Sequence, residues 1–348
     1  MRGRLHPSKL WAAGCRPQGA GATLQTGSRP TEGNDIAVQP DVPALGDVNA
    51  PAELRAGVTP QWLRFDRPQT FWGLLLPPTL WLALFLLVPL LLIGAFSFRA
   101  DLRGDLLTPF SPTLAHYQKL LDKPSYLRLL GISVGMALVV AASAVTLAYP
   151  VAYFLAFRAG PRLGLFLILL LVPFWTSFLL RIMAWKVLLG SGGVVNSFLQ
   201  YVGLIEEPLG FLLYNRGTVV VTLIYVWIPF VALPIYAVLQ RIDTSLFEAA
   251  ADLGATRVQT FRRVVLPLSL PGVVAAFITC FIPTIGEYVT PLLVGGSRGS
   301  MYGNLIQDFF TKAANWPLGA AMSLVMLVST IAFVTIALRL INPRQLGA

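Results

Sequence analysis

Residues 241–267 read RIDTSLFEAAADLGATRVQTFRRVVLP, a charged segment held between two long apolar runs. Ser245 and Glu248 form the S-x-x-E pattern of a capping box, which predicts that a helix begins there. Alanines and Leu253 favour its continuation, and Gly254 falls where a left-handed C-terminal cap is expected. The segment is therefore interpreted as the start of a compact helix-turn-helix that protrudes from a membrane.

A second short helix is predicted from about Thr256, with apolar side chains on one face and arginines on another. Pro267 and Pro271 are expected to end this helix and to open the next apolar run. The small alanine side chains would let the surface of another protein approach closely. The simpler alternative is an ordinary capped loop between two apolar helices.

The segment separates two of six long uncharged runs. About 20 apolar residues are needed to cross the hydrocarbon core of a bilayer. Five of the runs exceed that length, and the third continues its apolar character through Leu189. We therefore predict an all-α integral membrane protein with six transmembrane helices and both termini on one side. The runs are Pro68–Phe98, Leu129–Phe157, Leu163–Leu180, Gly217–Gln240, Val264–Gly286 and Ala313–Leu338.

The composition excludes a soluble protein. Of 348 residues, 55% are apolar and 12% are charged, and the mean hydropathy is +0.69. Soluble domains contain about 25% charged residues, and a single soluble core of this length could not bury so many apolar side chains. A soluble enzyme is therefore excluded.

The distribution of basic residues predicts the orientation. The net charge of +10 is interpreted as cytoplasmic retention of Lys and Arg, and no nucleic-acid partner is expected. With the N-terminus in the cytoplasm, the inside segments hold 11 Lys and Arg in 56 residues and the outside segments hold 8 in 79. This twofold density favours an N-in, C-in protein. The inside segments are 55–72, 158–162, 241–263 and 339–348; the outside segments are 99–128, 190–216 and 295–316.

The full pattern of the loop is E-A-A, three residues, Gly, nine residues and V-x-L-P. It resembles the EAA loop of binding-protein-dependent ABC importer permeases, with Val264 where Ile is common. In that family the loop is a coupling helix that docks in a cleft of the ATPase subunit. The resemblance implies that the coupling residues are Glu248, Ala249, Ala250, Gly254, Leu266 and Pro267. Ser245, which begins the helix, is added to these candidates.

Two further stretches resemble the polyamine-importer permeases. Residues 173–181 read PFWTSFLLR and residues 286–296 read GEYVTPLLVGG, and GNLIQDFF at 303–310 continues the likeness. The resemblance covers about residues 65–340. It implies a permease for putrescine or spermidine in a bacterial inner membrane. Sister permeases for iron, thiamine or opines share much of this frame and remain alternatives.

The resemblance implies a type I importer (MetI-like) fold and the following division of the chain. Residues 1–60, rich in Gly, Pro, Ala and Arg, are predicted to be a disordered cytoplasmic tail. Residues 61–127 hold the first transmembrane helix and an external loop. Residues 128–341 form a five-helix permease core with a cytoplasmic coupling loop at 241–270, and 342–348 are a cytoplasmic end.

The resemblance also implies the partners, which are two ATP-binding subunits, a related or identical second permease and an extracytoplasmic substrate-binding protein, all at a lipid membrane. No P-loop is present in the sequence, since none of its five lysines follows a glycine. We therefore expect no enzymatic activity from this chain and ATP hydrolysis by a separate subunit.

Charged and aromatic residues in the apolar runs are candidates for the translocation pathway or gate. Arg181 and Glu287 are predicted at similar depth, where an unpaired charge is costly. In one interpretation they pair with each other or extend towards the outer interface. In the other, Glu287 faces the pathway and attracts a cationic substrate, or it belongs to the outer gate. Trp175, Trp185 and Tyr288 could offer aromatic faces to an ammonium group, or belong to an aromatic belt.

Two other classes of protein are alternatives. The first is a secondary transporter or channel that needs no ATPase. Inverted repeats and interrupted helices would support it, and the six runs show no repeat. A membrane-embedded enzyme would need a cluster of catalytic side chains. The histidines His6 and His116 and the cysteines Cys15 and Cys280 are isolated, so no metal and no cofactor are expected.

Overall fold

The structure, a computed structural model, describes residues 68–100 and 111–340. The predicted tail at 1–60 and the predicted end at 342–348 lie outside these residues. Within the described ranges the regular secondary structure is helical. Its α-helices are α1 Pro68–Ser97, α2 Ala115–Asp122, α3 Pro124–Phe157, α4 Leu163–Trp175, α5 Phe178–Leu189, α6 Val194–Tyr201, α7 Arg216–Leu239, α8 Ser245–Asp252, α9 Arg257–Thr260, α10 Leu266–Ile285, α11 Tyr302–Thr311 and α12 Trp316–Leu340.

The predicted number of six membrane spans is confirmed, but the third span lies further along the chain than the run Leu163–Leu180 that the sequence predicted. Six helical stretches of the described chain are long and apolar enough to cross a membrane. They are Trp72–Ser97, Pro124–Phe157, Phe178–Tyr201, Arg216–Leu239, Arg257–Ile285 and Trp316–Arg339.

The third apolar run differs from the prediction, because it is interrupted where one continuous helix was expected. Helix α4 ends at Trp175, and Thr176 has an extended backbone (φ −80°, ψ 147°). The hydroxyl of Thr176 donates a hydrogen bond to the carbonyl oxygen of Pro173 (2.7 Å), which satisfies a carbonyl that the break deprives of its helical partner. Helix α5 then starts at Phe178, so Arg181 lies in the first turn of a new helix.

The core is built by α3, α7 and α10. Helix α3 contributes a stripe of alanines, three or four residues apart, that are fully buried: Ala137, Ala141, Ala144, Ala148 and Ala152. Small side chains at helical spacing let helix backbones approach closely and gain van der Waals contact, which drives helix association inside a bilayer.

Gly272 lies at a close approach of α10 to α7. A Cβ atom at Gly272 would lie 2.9 Å from Cγ2 of Val238 and 3.0 Å from the carbonyl oxygen of Pro234. The carbonyl oxygen belongs to the backbone, so it cannot move aside as a side chain can. Only glycine fits at this position without separating the two helices.

Helix α1 lies at the periphery, with most of its side chains from Trp72 onward exposed. Its Phe96 ring contacts the ring of Trp316 on α12 at 6.3 Å between centroids. A second apolar cluster joins α11 and α12, and the backbone N–H of Tyr302 in this cluster donates to the hydroxyl of Ser133 on α3 (2.7 Å). The division of the chain at residues 127 and 128 stays a prediction.

We expect Gly272→Leu to destabilise the protein by about 1–3 kcal/mol, the usual cost of overpacking a core. The matched control is Gly131→Leu on α3, where an added Cβ meets nothing within 4 Å. The measurement is the thermal unfolding midpoint of each purified variant in the same detergent. Equal midpoints for both variants would contradict the close contact of α7 and α10.

Candidate coupling loop and translocation pathway

Helix α8 begins at Ser245 as predicted, but the capping box between Ser245 and Glu248 does not form. Thr244 is the N-cap, and no side chain caps the helix through it. The carboxylate of Asp243 instead accepts a hydrogen bond from the backbone N–H of Ser245 (2.9 Å). This hydrogen bond lowers the pKa of Asp243, since it stabilises the charged carboxylate.

Gly254 ends α8 in the left-handed conformation that the sequence predicted, with φ +73°. Its N–H bonds to the carbonyl of Ala251 (2.9 Å), and the N–H of Ala255 reaches back to the carbonyl of Ala250 (2.9 Å). These two bonds form a Schellman motif, which satisfies the last carbonyls of the helix and reverses the chain.

The second helix of the loop has its own capping box, which the sequence analysis missed. The hydroxyl of Thr256 accepts from the N–H of Gln259 (3.4 Å), and the side chain of Gln259 accepts from the N–H of Thr256 (2.8 Å). The T-x-x-Q spacing was a signal for it in the sequence.

The prediction that Pro267 and Pro271 end this second helix is wrong. Helix α9 passes through a π-helical segment, Phe261–Val265, directly into α10. The N–H of Leu266 bonds to the carbonyl of Phe261, five residues back. Because Pro267 lies in the first turn of α10, we attribute its accommodation to this wider segment, which relieves the carbonyls that proline leaves without a donor.

The predicted coupling residues are exposed, with one exception. Ser245, Glu248, Ala249, Gly254, Leu266 and Pro267 are exposed, whereas Ala250 is buried. Leu253, which the sequence analysis did not select, is 88% exposed at the turn.

An aromatic cluster connects the loop to the membrane helices. We call it the aromatic ladder; its members are Tyr149, Tyr153, Phe157, Phe247 and Phe261. From the loop inward, ring centroids lie 5.2 Å apart for Phe247 and Phe157, 4.9 Å for Phe157 and Tyr153, and 6.1 Å for Tyr153 and Phe261. The ladder was not predicted, although Tyr149, Tyr153 and Phe157 follow each other on α3 at four-residue spacing.

The inner end of the ladder reaches α10. The rings of Phe261 and Tyr149 lie 5.7 Å apart, and the hydroxyl of Tyr149 is 2.8 Å from the hydroxyl of Ser269. Ser269 is fully buried on α10. The loop is therefore in continuous side-chain contact with two of the three core helices.

Two of the predicted pathway residues, Arg181 and Trp185, line one cavity of about 490 Å³ between α5 and α7. The ring of Trp185 packs against that of Tyr225 on α7 at 5.7 Å between centroids. Trp175 lies at the end of α4 and is 75% exposed. Trp175, Glu287 and Tyr288 are not among the residues that line this cavity.

Glu287 does not lie inside a helix, contrary to the expectation from its apolar run. Helix α10 ends at Ile285, and the carboxylate of Glu287 accepts hydrogen bonds from the N–H groups of Val289 (2.9 Å) and Thr290 (3.1 Å). The side chain thus caps the short segment that follows it. A pair between Glu287 and Arg181 is not formed among the described residues.

The turn that carries Glu287 is held by the start of α11. A Cβ atom at Gly303 would lie 2.7 Å from the carbonyl oxygen of Gly286 and 2.9 Å from that of Glu287. The side-chain amide of Asn304 donates to the carbonyl of Tyr288 (2.7 Å). Both residues belong to the GNLIQDFF stretch, so the structure joins this stretch to the GEYVTPLLVGG turn.

No group of metal-ligating side chains is found within the described part of the chain. Cys280, the cysteine that the structure describes, is free and buried in the core.

Comparison with known proteins identifies the class. The family described as binding-protein-dependent transport system inner membrane component matches residues 70–347. The chain belongs to this family and is a multi-pass bacterial inner-membrane permease component, not an enzyme. The match also removes the secondary transporter as an alternative, so the interruption between α4 and α5 is a feature of an importer permease.

Individual relatives within this family include spermidine/putrescine permeases. The spermidine/putrescine transport system permease protein PotB of Salmonella typhimurium (strain SL1344) is 37% identical over 249 residues, which are 71% of this chain and 85% of that protein. PotB of Escherichia coli (strain K12) is 36% identical over 249 residues, 71% of this chain and 89% of that protein. The inner membrane ABC transporter permease protein YdcU of Escherichia coli (strain K12) is 35% identical over 293 residues, 79% of this chain and 89% of that protein.

A solved structure confirms the fold. A bacterial ABC transporter involved in the import of the acidic polysaccharide alginate matches with a TM-score of 0.61 and 19% sequence identity. The match covers 82% of this chain and 99% of that chain. The predicted ABC importer permease fold is therefore confirmed.

Replacing Gly254 tests the Schellman motif. At φ +73°, Gly254→Val should strain the turn by about 1–2 kcal/mol, whereas Gly254→Asn should be tolerated. We expect the valine variant to open locally and to be cleaved by trypsin after Arg257 about tenfold faster than wild type, with little change for the asparagine variant. The measurement is the initial rate of cleavage at that bond. Equal rates for the two variants would show that the motif does not hold the loop.

Proposed function

We propose that this chain is the transmembrane permease subunit of an ABC importer for polyamines such as putrescine and spermidine. The observation that carries the proposal is the likeness to the PotB permeases, 36–37% identical over most of both chains. The GEYVTPLLVGG turn adds a carboxylate, Glu287, in a segment that is otherwise apolar. Such a group suits a cationic cargo.

The importer would contain this permease, a second permease that is related or identical, two ATP-binding subunits and an extracytoplasmic binding protein. ATP hydrolysis belongs to the ATP-binding subunits, since the sequence carries no P-loop. The basic loops favour an N-in, C-in orientation, which leaves α8 and α9 in the cytoplasm. Cargo would then pass between the two permeases by alternating access.

In this proposal α8 docks in a cleft of an ATP-binding subunit. The exposed residues Ser245, Glu248 and Ala249 form its outer face, and Gly254 sets the direction of the chain that follows. Ala250 supports the helix from the buried side. Leu253 is the apolar anchor that the subunit would cover, because burial of an exposed leucine side chain is worth about 1.5–3 kcal/mol.

The aromatic ladder would carry motion from the docked loop to the pathway. Phe247 on α8 touches Phe157 on α3, and Phe261 touches Tyr149 and Tyr153 on α3. Densely packed rings transmit a displacement because they cannot be compressed. A shift of the loop against the ATP-binding subunit would therefore move α3 and α10 together.

The pathway would be lined by aromatic and charged side chains from the two interrupted regions. Trp175, Arg181 and Trp185 flank the break between α4 and α5, and Glu287 and Tyr288 follow the end of α10. Aromatic faces attract ammonium groups, and the carboxylate attracts them more strongly. These five residues are the proposed pathway or gate.

Docking predicts a specific defect in one of two matched leucine variants. Leu253→Asp places a charge on the proposed anchor, so the affinity for the ATP-binding subunits should fall about 30-fold or more, as for an interface hot spot. Leu204→Asp is the control, because Leu204 is also an exposed leucine but lies in the loop between α6 and α7. The measurement is the amount of ATP-binding subunit that co-purifies with each tagged variant.

Glu248→Arg should reduce this retention too, since Glu248 lies on the same outer face. The docking surface is assigned wrongly if Leu253→Asp and Glu248→Arg retain as much ATP-binding subunit as Leu204→Asp does.

Glu287→Gln should reduce uptake of labelled spermidine by about tenfold or more, since a charge-assisted hydrogen bond is worth about 1.5–3 kcal/mol. Glutamine keeps an oxygen that can accept from Val289 and Thr290, so the turn should persist. Glu206→Gln, in the loop before α7, is the matched control. Uptake is measured in proteoliposomes at saturating binding protein. Wild-type uptake by a stably assembled Glu287→Gln complex would remove Glu287 from the pathway.

A further inference from the structure

Arg181 is a buried cation without an anionic partner among the residues that the structure describes. Its side chain is 8% exposed, and its Nε atom is buried without a hydrogen-bond acceptor among the described residues. The guanidinium carbon lies 6.0 Å from the centre of the Phe178 ring on the same helix. The described residues that line the adjoining cavity include no Asp or Glu. The charge is therefore not balanced within the described part of this chain.

A second cationic feature meets Arg181 in the same place. Helix α5 begins at Phe178 after the extended pair Thr176 and Ser177, and no side chain caps its first turn. The N-terminus of a helix carries the equivalent of about half a positive charge, which favours an anion and disfavours an arginine. Thr176 and Arg181 both line the cavity of about 490 Å³, so the free helix end and the guanidinium face one space.

The cost of this arrangement is high without an anion. Arginine stays protonated in proteins, so it cannot avoid the cost by losing its charge. An unpaired charge within a bilayer is expensive, and leaving one member of a buried ion pair alone is strongly destabilising. Arg181 is preceded along the chain by the apolar helix α4, about 20 Å long, and α5 continues for about 12 Å beyond it to Leu189. Apolar helix therefore lies on both sides of the charge along the chain.

We propose that the cavity beside Arg181 receives the carboxylate of an Asp or Glu on the second permease subunit. The inference rests on the proposed function, in which two permeases meet along the pathway. A lipid phosphate stays at the headgroup level, and putrescine and spermidine carry no acidic group. A carboxylate on the facing permease is the anion that the proposed importer itself supplies to this cavity.

The pair would serve the passage of a cationic cargo. A bare guanidinium beside Trp185 would repel a polyamine, whereas a neutralised one leaves the aromatic faces of Trp185 and Tyr225 available to it. Assembly of the two permeases would thus complete the pathway electrostatically, and this chain alone would present a barrier to cations.

The test uses the assembled complex in nanodiscs of neutral lipid, without cargo, and compares variants at position 181. Arg181→Gln should weaken retention of the second permease about 30-fold, which corresponds to about 2 kcal/mol, because it leaves the partner's carboxylate unpaired. Arg181→Lys should lose less and Arg181→Glu should lose more. Lys186→Gln is the matched control, a cation five residues along the same helix, and should leave retention unchanged.

The full chain without its partners gives the second readout. There Arg181→Gln should raise the thermal midpoint, since it removes an unbalanced cation. If a lipid supplies the anion, Arg181→Gln would instead lower the midpoint of the chain alone in acidic lipid. If cargo supplies the anion, retention would depend on position 181 only when cargo is added.

Either of these results overturns the proposal, and so does equal retention of the second permease by Arg181→Gln and Lys186→Gln. A wild-type complex that contains no second permease would refute the proposed function itself. The absence of a second permease would be seen in the wild-type complex, before any variant is measured.

Discussion

The contact of α3, α7 and α10 through small side chains is the constraint on which the other features depend. Inside a bilayer the hydrophobic effect does not drive helices together, so close backbone approach must supply the attraction. The alanine stripe on α3 and Gly272 on α10 provide that approach. Because these three helices hold the fold together, the chain can depart from regular helix outside their contact without losing its fold. The break at Thr176 and the turn at Glu287 are both such interruptions, and each carries candidate pathway residues.

Interruptions also explain why charged side chains are tolerated at these places. A continuous helix uses its backbone groups internally and leaves none for a carboxylate. At the end of α10, the free N–H groups of Val289 and Thr290 bind the carboxylate of Glu287. At the start of α5 no described side chain binds the free N–H groups, and the first charged residue of the helix is the cation Arg181. The two ends are thus electrostatic opposites, one satisfied within the chain and the other dependent on another molecule.

The sequence was sufficient for the features that depend on composition and local pattern. Apolar length predicted six spans, and the position of Gly254 predicted the left-handed turn. The sequence was not sufficient where contacts between distant residues or the local geometry of the backbone determine the structure. The π-helical segment before Leu266 carries the helix through Pro267, which local propensity treats as a stop. A break at Thr176 needs a hydroxyl aimed at one carbonyl, and apolar character alone did not reveal it. The aromatic ladder joins residues more than 100 positions apart, so only its spacing on α3 was visible in advance.

The continuity of α9 and α10 has a mechanical consequence. From Arg257 to Ile285 the chain forms one rod of 29 residues, about 43 Å long. One end carries the surface loop and the other end adjoins the turn of Glu287. In the proposed importer, a tilt of about 5° in a stretch of this length would move its far end by about 4 Å. Had Pro267 ended the helix, a joint in the middle would have absorbed that rotation. Since the π-helical segment keeps the helix continuous, a small displacement of the loop would become, in the proposed importer, one of roughly the size of an ammonium group at the proposed gate.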